Sequence, residues 1–161
     1  MSRHKKNGYF VRTKGVPKPL VVKIKRRVHF SEVDAMGIVW YGRYAQYLEE
    51  AAAELGRKCG LSYHDFYRAK LAAPIVEFHI DYHQPLYLDE EFTVTASLLW
   101  NEGSRINLEF EVRKKDKGLA TSGYTVQMLI NAKTGEVCLN SPALQERCRR
   151  RWRKGELKCL E

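Results

Sequence analysis

Apolar and polar residues alternate along the first folded part of the chain and then change to a longer period. From Leu20 to Phe30 apolar residues are set against basic ones, which predicts a β-strand with one buried face. From Arg43 to Cys59 apolar residues recur at steps of three and four, which predicts a long amphipathic helix. Gly60 suits its end, because glycine readily adopts the left-handed conformation of a C-cap. Alanines at 51–53 make one part of this helix thin, so another element can approach it closely.

A second, shorter helix and four strands are predicted downstream. Ser62, with Asp65 three residues later, has the spacing of a capping box, which predicts a helix that begins there. Beyond Pro74 the period falls to two, and four strand-like segments follow: Val76–Tyr82, Phe92–Trp100, Ile106–Val112 and Tyr124–Ile130. Short links at 101–103 and 115–118 predict hairpin turns and therefore antiparallel neighbours. Ser141-Pro142 predicts the start of a last helix, which runs to about Trp152.

The order of these elements predicts the fold class. A long helix must bury its broad apolar stripe against another apolar surface, and a sheet of strands that are apolar on one face provides such a surface. We therefore predict an α+β fold, in which a curved antiparallel sheet, with the four later strands as a meander, wraps around the long helix. The chain of 161 residues is long enough to form one domain with a proper core.

The formal net charge of +9 is concentrated at the two ends of the chain. Residues 28–144 hold 11 Lys or Arg and 16 Asp or Glu, so this part is mildly acidic. We expect residues 1–19 to be a flexible basic segment, 20–145 to be the folded domain, and 146–161 to be a basic helix end and tail. A nucleic-acid-binding domain more often carries its positive charge on the folded body, so we expect no specific nucleic-acid partner.

The composition also indicates the cellular compartment in which the protein is expected. No apolar run approaches the ~20 residues that a membrane-spanning helix needs, and no apolar segment follows the basic start as in a secretory signal. A cytoplasmic location is therefore expected. The four cysteines, Cys59, Cys138, Cys148 and Cys159, show no CxxC spacing and are interpreted as free thiols in a reducing compartment.

One carboxylate stands out between the first strand and the long helix. Asp34 lies among small and apolar residues just before the predicted helix start, where backbone N–H groups have no intrahelical partner. An acid beside such donors suits an attack on a carbonyl, with Gly37 and Gly42 bringing the backbone close. The alternative is that Asp34 only caps a turn, as Asp often does in loops. No GxSxG elbow, phosphate loop or dinucleotide fingerprint is present, and the histidines have no metal-ligand spacing, so we expect neither cofactor nor metal.

The segment from Asp34 to Tyr44, together with the order of elements, resembles the hotdog-fold acyl-CoA thioesterases of the 4-hydroxybenzoyl-CoA thioesterase type. The family has an Asp, two residues, a Gly, a hydrophobic pair and aromatics that lead into the central helix. In this chain these positions hold Asp34, Gly37, Ile38-Val39, Trp40-Tyr41 and Tyr44. The resemblance extends over about residues 20–145. Relatives similar to those of the Tol-Pal system carry His at the position of Tyr41, so a mechanism that uses that His does not apply.

The resemblance implies the roles of the site residues. Asp34 acts as nucleophile or general base, and the Tyr41 backbone amide is the oxyanion donor. The side chains of Tyr41 and Tyr44 either line the acyl pocket or belong to the core. Glu49 and Glu50 are either catalytic, as in some other hotdog enzymes, or part of a solvated helix face. The implied substrate-binding residues are Gly37, Ile38, Val39, Trp40, Tyr44, Pro74 and Arg105. Arg105 is the one basic residue in a stretch where the aryl-CoA branch can carry a basic cluster for the CoA phosphates, so the mode of CoA binding stays open.

The resemblance also implies partners and leaves alternatives. Hotdog enzymes form each site between two subunits, and the partner here is expected to contribute the region of 73–75, so a homodimer or homotetramer is predicted. The substrate is expected to be an acyl-CoA or aroyl-CoA thioester. One alternative is hydrolysis of acyl groups from acyl carrier protein, whose acidic surface would be attracted by the basic ends. Another is a non-catalytic hotdog binding module that engages a polyanion.

Overall fold

Three helices and seven strands make up the computed structural model, which describes residues 8–157. The helices are α1 (Tyr44–Cys59), α2 (Tyr63–Arg68) and α3 (Ala143–Arg153), and 3-10 turns lie at Phe30–Glu32 and Tyr41–Arg43. The strands are β1 (Leu20–Arg27), β2 (Leu71–Ala72), β3 (Ile75–Tyr82), β4 (Glu91–Leu99), β5 (Arg105–Lys114), β6 (Leu119–Met128) and β7 (Ile130–Asn131). The predicted α+β class is confirmed. Most elements lie close to their predicted bounds, but β6 begins at Leu119 instead of Tyr124, and the short strands β2 and β7 were not predicted.

Five strands form one antiparallel sheet in the order β1-β4-β5-β6-β3, and β2 pairs with β7 in a separate ribbon. The prediction of a four-strand meander is wrong, because only β4, β5 and β6 follow one another through hairpins. The first of the four strands, β3, pairs with β6 instead, and β1 occupies the other edge beside β4. Residues 83–90 carry the chain from β3 back across the sheet, and Leu86 within them is fully buried. Residue patterns predict strands but not their partners, so this crossing was not visible in the sequence.

The long helix α1 lies across the inner face of the sheet and packs chiefly against β1 and β4. Its apolar stripe is buried in the core, through Tyr44, Tyr47, Leu48, Ala51, Leu55 and Cys59. Gly60 ends it in the left-handed conformation, as predicted, and Ser62 and Asp65 form the predicted capping box of α2. Because α1 sits toward β1, the inner face of β3 is left partly uncovered.

The N-terminal stretch from 8 to 19 forms no helix or strand, but it contacts the folded body. The Tyr9 hydroxyl bonds with Asp81 and Ser122 on the outer face of the sheet, and the Trp152 indole donates to the Lys18 carbonyl. The prediction that 1–19 is flexible stays a prediction, and 1–7 and 158–161, with Cys159, lie outside the described residues. Cys59, Cys138 and Cys148 are free thiols. Within residues 8–157, no helix is long and apolar enough to cross a membrane.

Candidate active site

A tight hairpin from Val33 to Val39 holds Asp34 beside the start of α1. Val33 and Val39 pair across it, and the Asp34 N–H donates to the Ile38 carbonyl at 2.8 Å. The Val39 N–H donates to the carbonyl of Leu86, 2.9 Å away, in the buried link between β3 and β4. These bonds tie the loop to the body on both sides, so Asp34 has a defined position although it lies near the surface.

The Asp34 carboxylate caps its own turn with one oxygen, and the residue is partly exposed. Its Oδ1 accepts from the Met36 N–H at 2.8 Å, so the turn-capping interpretation describes a real contact. The other oxygen, Oδ2, accepts no hydrogen bond from any group within residues 8–157. Capping therefore orients the carboxylate without occupying it, and the structural and chemical interpretations of Asp34 are compatible.

The two glycines of the loop serve different purposes. Gly37 has φ of +74°, and a Cβ at this position would meet no atom within 4 Å. It is therefore required by the left-handed backbone, and within residues 8–157 no atom crowds the position of its missing side chain. A Cβ at Gly42, in contrast, would lie 2.3 Å from the Trp40 ring, so only Gly42 allows a close approach.

The start of the long helix follows this loop directly and offers backbone N–H groups. Tyr41 is the first residue of the 3-10 turn that continues into α1, and among residues 8–157 its N–H finds no backbone acceptor. The Tyr82 hydroxyl donates to the Tyr41 carbonyl at 2.8 Å and so fixes the orientation of this turn. Burial raises the pKa of Tyr82, which keeps its hydroxyl protonated as a donor. The Trp40 and Tyr41 side chains are both exposed, with ring centres 5.1 Å apart.

Two of the predicted site residues are part of the core of the protomer. Tyr44 is 3% exposed and packs edge-on against Tyr47 and Tyr82. Burial raises the pKa of Tyr44 as well. The Val39 side chain is also buried, which leaves its backbone as the part nearest to the loop surface. Substrate contacts by Tyr44 and Val39 stay predictions.

A buried ionic cluster that the sequence analysis missed anchors the loop to α1 and β1. Glu32 is 6% exposed, accepts from the His29 N–H at 2.8 Å and lies 3.6 Å from the Arg26 guanidinium. Arg26 also pairs with Glu50 on α1 and lies over the Tyr47 ring. The Glu32 carbonyl accepts from the Trp40 N–H, which joins the cluster to the far side of the hairpin. The sequence offered one indication of this cluster. Glu32 is an acid two residues before Asp34, and residues two apart in an extended segment lie on the same side.

This cluster includes one of the two helix glutamates, and a catalytic role of either stays a prediction. Glu50 is half-buried and paired with Arg26, so a solvated helix face does not describe it. Glu49 accepts a hydrogen bond from the Tyr63 hydroxyl on α2. Both carboxylates are thus held by other elements of the protomer.

We expect Glu32→Gln to lower the free energy of unfolding by about 1.5–3 kcal/mol, because it removes a buried charge partner of Arg26 and weakens the loop anchor. Urea unfolding measures this loss. Glu91→Gln is the matched control, since Glu91 pairs with Arg27 where both side chains are about half exposed. Such a solvent-exposed pair is screened by water, so its loss should change the free energy of unfolding little. Equal losses in the two variants would contradict the anchoring role of Glu32.

The other two predicted site residues lie at the opposite end of β3. Pro74 precedes Ile75, and Arg105 begins β5 opposite Met128. Tyr82, beside Tyr41, ends β3, and the eight residues of this strand span about 23 Å. Within one protomer the structure brings together Asp34, Gly37, Ile38, Val39, Trp40 and Tyr41, and leaves Pro74 and Arg105 apart from them.

Comparisons with known proteins agree on one family. The model of the thioesterase-like superfamily matches residues 28–148. A putative esterase from Aquifex aeolicus is 34% identical over 111 residues, which cover 68% of this chain and 85% of the relative. A 1,4-dihydroxy-2-naphthoyl-CoA hydrolase from Thermosynechococcus vestitus is 27% identical over 122 residues, or 75% of this chain and 77% of the relative. The solved structure of a DHNA-CoA thioesterase from Staphylococcus aureus superposes with a TM-score of 0.71 at 22% identity, covering 86% of this chain and 90% of that one, and so shares its fold.

Proposed function

As a member of the thioesterase-like superfamily the chain is a thioester hydrolase, and we propose that it cleaves acyl-CoA or aroyl-CoA esters with Asp34 as the reacting carboxylate. The observation that carries the proposal is the hairpin that leads into the helix start. It holds a carboxylate whose Oδ2 accepts no hydrogen bond among residues 8–157, and it is followed by the Tyr41 N–H, which finds no backbone acceptor there. The names of relatives that hydrolyse 1,4-dihydroxy-2-naphthoyl-CoA support a CoA ester as substrate.

Two routes through Asp34 fit this geometry. In one, Asp34 attacks the thioester carbon, the CoA thiolate leaves, and water then hydrolyses the mixed anhydride. In the other, Asp34 takes a proton from water, whose oxygen attacks the thioester carbon, and the carbon–sulfur bond then breaks as the CoA thiolate leaves. Both routes develop negative charge on the carbonyl oxygen, and the Tyr41 N–H, with the helix dipole behind it, is suited to stabilise that charge.

A second copy of the chain completes the site in this proposal. β3 is an edge strand, and large apolar side chains on it and around the loop are exposed: Met36, Trp40, Tyr41, Ile75, Val76, Phe78 and Tyr82. An unpaired edge with exposed apolar residues favours pairing with another strand, and a two-fold axis through β3 would extend the sheet into the partner. We propose a homodimer that is formed in this way.

The antiparallel direction of such a pair has a consequence for the active site. The Tyr82 end of β3 in one protomer would lie beside the Ile75 end of β3 in the other. Asp34 and Tyr41 would then face the partner's Pro74, which is otherwise about 23 Å away along the strand. This supports the expectation that Pro74, and Arg105 near it, contribute to the site from the second subunit.

A panel of CoA esters tests the activity. Acetyl, butyryl, octanoyl, dodecanoyl, benzoyl and 1,4-dihydroxy-2-naphthoyl esters would be assayed by the release of free thiol, with the same acyl groups on acyl carrier protein in parallel. We expect turnover of at least one CoA ester, and faster turnover of the carrier-bound esters would favour the carrier-protein alternative. Release of thiol from none of them would contradict the enzymatic function and leave the binding-module alternative.

A further inference from the structure

A short N-terminal strap, residues 8–12, is fastened to the outer face of the sheet. The backbone N–H groups of Tyr9 and Phe10 donate to Oε1 of Glu109 on β5, at 2.6 and 3.0 Å. The Arg12 guanidinium pairs with the other oxygen of the same carboxylate at 2.6 Å. The strap lies ahead of the residues that match the family model, so its contacts are a feature of this chain outside that match.

The Tyr9 side chain joins the end of β3 to β6. Its hydroxyl donates to Asp81 Oδ2 at 2.7 Å and lies 2.6 Å from Ser122 Oγ, and Asp81 and Ser122 are partners in the register of the two strands. Because a hydroxyl has one proton, Ser122 donates to Tyr9 and accepts in turn from His83 Nε2, 2.9 Å away. Burial, together with the hydrogen bond to the Asp81 carboxylate, raises the pKa of Tyr9 to about 12, so the donor stays protonated.

This fastening lies directly behind a residue that acts on the other face of the sheet. Within residues 8–157, β3 is an edge strand whose backbone pairs with β6 alone. Asp81 and Tyr82 are consecutive in β3, and consecutive side chains of a strand point to opposite faces. The Tyr9 hydroxyl therefore holds the end of the strand on the outer face, while Tyr82 projects from it to the inner face.

Tyr82 transmits the position of the strand end to the active-site loop. Its hydroxyl donates to the Tyr41 carbonyl at 2.8 Å, and its ring packs edge-on against Tyr44 with ring centres 5.3 Å apart. The carbonyl and the N–H of Tyr41 flank the same Cα atom, so a shift of the carbonyl also turns the N–H. Such a donor must be placed accurately, since a misplacement of about 1 Å can cost about 10²-fold in rate.

We propose that Tyr9 is a positioning residue for the thioesterase site: from the outer face it fixes the end of β3, and through Tyr82 it fixes the turn that presents the Tyr41 N–H. The inference rests on the proposed function and deepens it, because it adds to the site a residue outside the family match. Tyr9 then affects the rate of the chemical step and not the binding of substrate, since the donor that it positions meets charge that develops only in the transition state.

Hydrogen exchange tests the structural connection without a substrate. Tyr9→Phe removes the hydroxyl and keeps the ring. NMR would follow the backbone N–H groups of His83, just beyond β3, and Arg43, in the turn of Tyr41, both of which donate to backbone carbonyls. We expect both to exchange about fivefold faster than in the wild type, the factor that corresponds to one net hydrogen bond. An unchanged rate at Arg43 would overturn the inference, whether or not the protein is an enzyme.

Steady-state kinetics test the effect on catalysis, with the ester of the CoA panel that the wild type cleaves fastest. We expect Tyr9→Phe to lower kcat about fivefold and to leave KM within about twofold of the wild-type value. Tyr82→Phe should lower kcat at least as much. Because Tyr9 acts through Tyr82, the double variant should have the kcat of Tyr82→Phe alone, whereas two independent losses would multiply.

Tyr67→Phe is the matched control, because it removes a hydroxyl from a side chain that is 82% exposed on α2. It should change neither the exchange rates nor the kinetics. An unchanged kcat in Tyr9→Phe, or losses that multiply in the double variant, would overturn the positioning role. A wild type that cleaves no ester, while Tyr9→Phe still speeds exchange at Arg43, would contradict the proposed function and keep the connection from the strap to the turn.

Discussion

Replacing Asp34 with asparagine is expected to lower kcat/KM for the preferred CoA ester by about 10²–10⁴-fold, the usual contribution of a positioned base or nucleophile. Asparagine keeps the oxygen that accepts from the Met36 N–H, so the turn should stay intact while the negative charge is lost. The measurement is steady-state kinetics, and circular dichroism and gel filtration confirm that the variant is folded and keeps its assembly.

Asp116 offers a matched control for that experiment. Its Oδ1 accepts from the Gly118 N–H at 2.8 Å in the hairpin between β5 and β6, the same turn-capping geometry as in Asp34. Asp116→Asn should leave kinetics unchanged. If Asp34→Asn behaves in the same way, the carboxylate only caps its turn. Incorporation of ¹⁸O from labelled water into Asp34 during a single turnover would identify the anhydride route, because a general base keeps both of its oxygens.

Introducing a charge on the exposed edge, with Phe78→Asp, is expected to yield a monomer that has lost about 100-fold or more of its activity. Phe78 lies on the inner face of β3 and is 48% exposed, so the substitution removes little from the core of the protomer. In the paired dimer its side chain would be covered, and an unpaired carboxylate there opposes association. Activity should fall because each Asp34 loses the partner surface that positions its substrate. Analytical ultracentrifugation and kinetics on one preparation measure both effects.

Leu139→Asp is the control for the edge substitution. Leu139 is 93% exposed in the segment before α3, so the same change in charge should alter neither the assembly nor the activity. A Phe78→Asp monomer with full activity would show that one protomer contains the complete site. A Phe78→Asp dimer would mean that the subunits associate through another surface.

Local sequence patterns were sufficient to predict most of the helices and strands and the turn at Asp34. The capping box at Ser62, the left-handed Gly60 and the change of period at Arg43 each depend on residues within one or two turns of the backbone. The same is true of the Asp34 turn, in which donor and acceptor are two residues apart. Short-range hydrogen bonds and periodicity are encoded in neighbouring residues, so the sequence alone predicts them.

Other features depend on residues far apart in the chain. The pairing of β3 with β6, the contact of Arg26 with Glu50 on α1, and the bond from Tyr82 to the Tyr41 carbonyl join segments that no local pattern connects. The open space beside Gly37 is likewise a property of the folded chain.

By itself, the sequence determined that a curved sheet surrounds a long helix and that Asp34 stands at the start of that helix. Only the tertiary structure decided that β3 is an exposed edge and that Glu32 and Arg26 anchor the loop. Periodicity reports which face of an element is apolar, whereas edges and ion pairs arise from how distant elements pack. The pairing of such distant elements is therefore visible only in the fold.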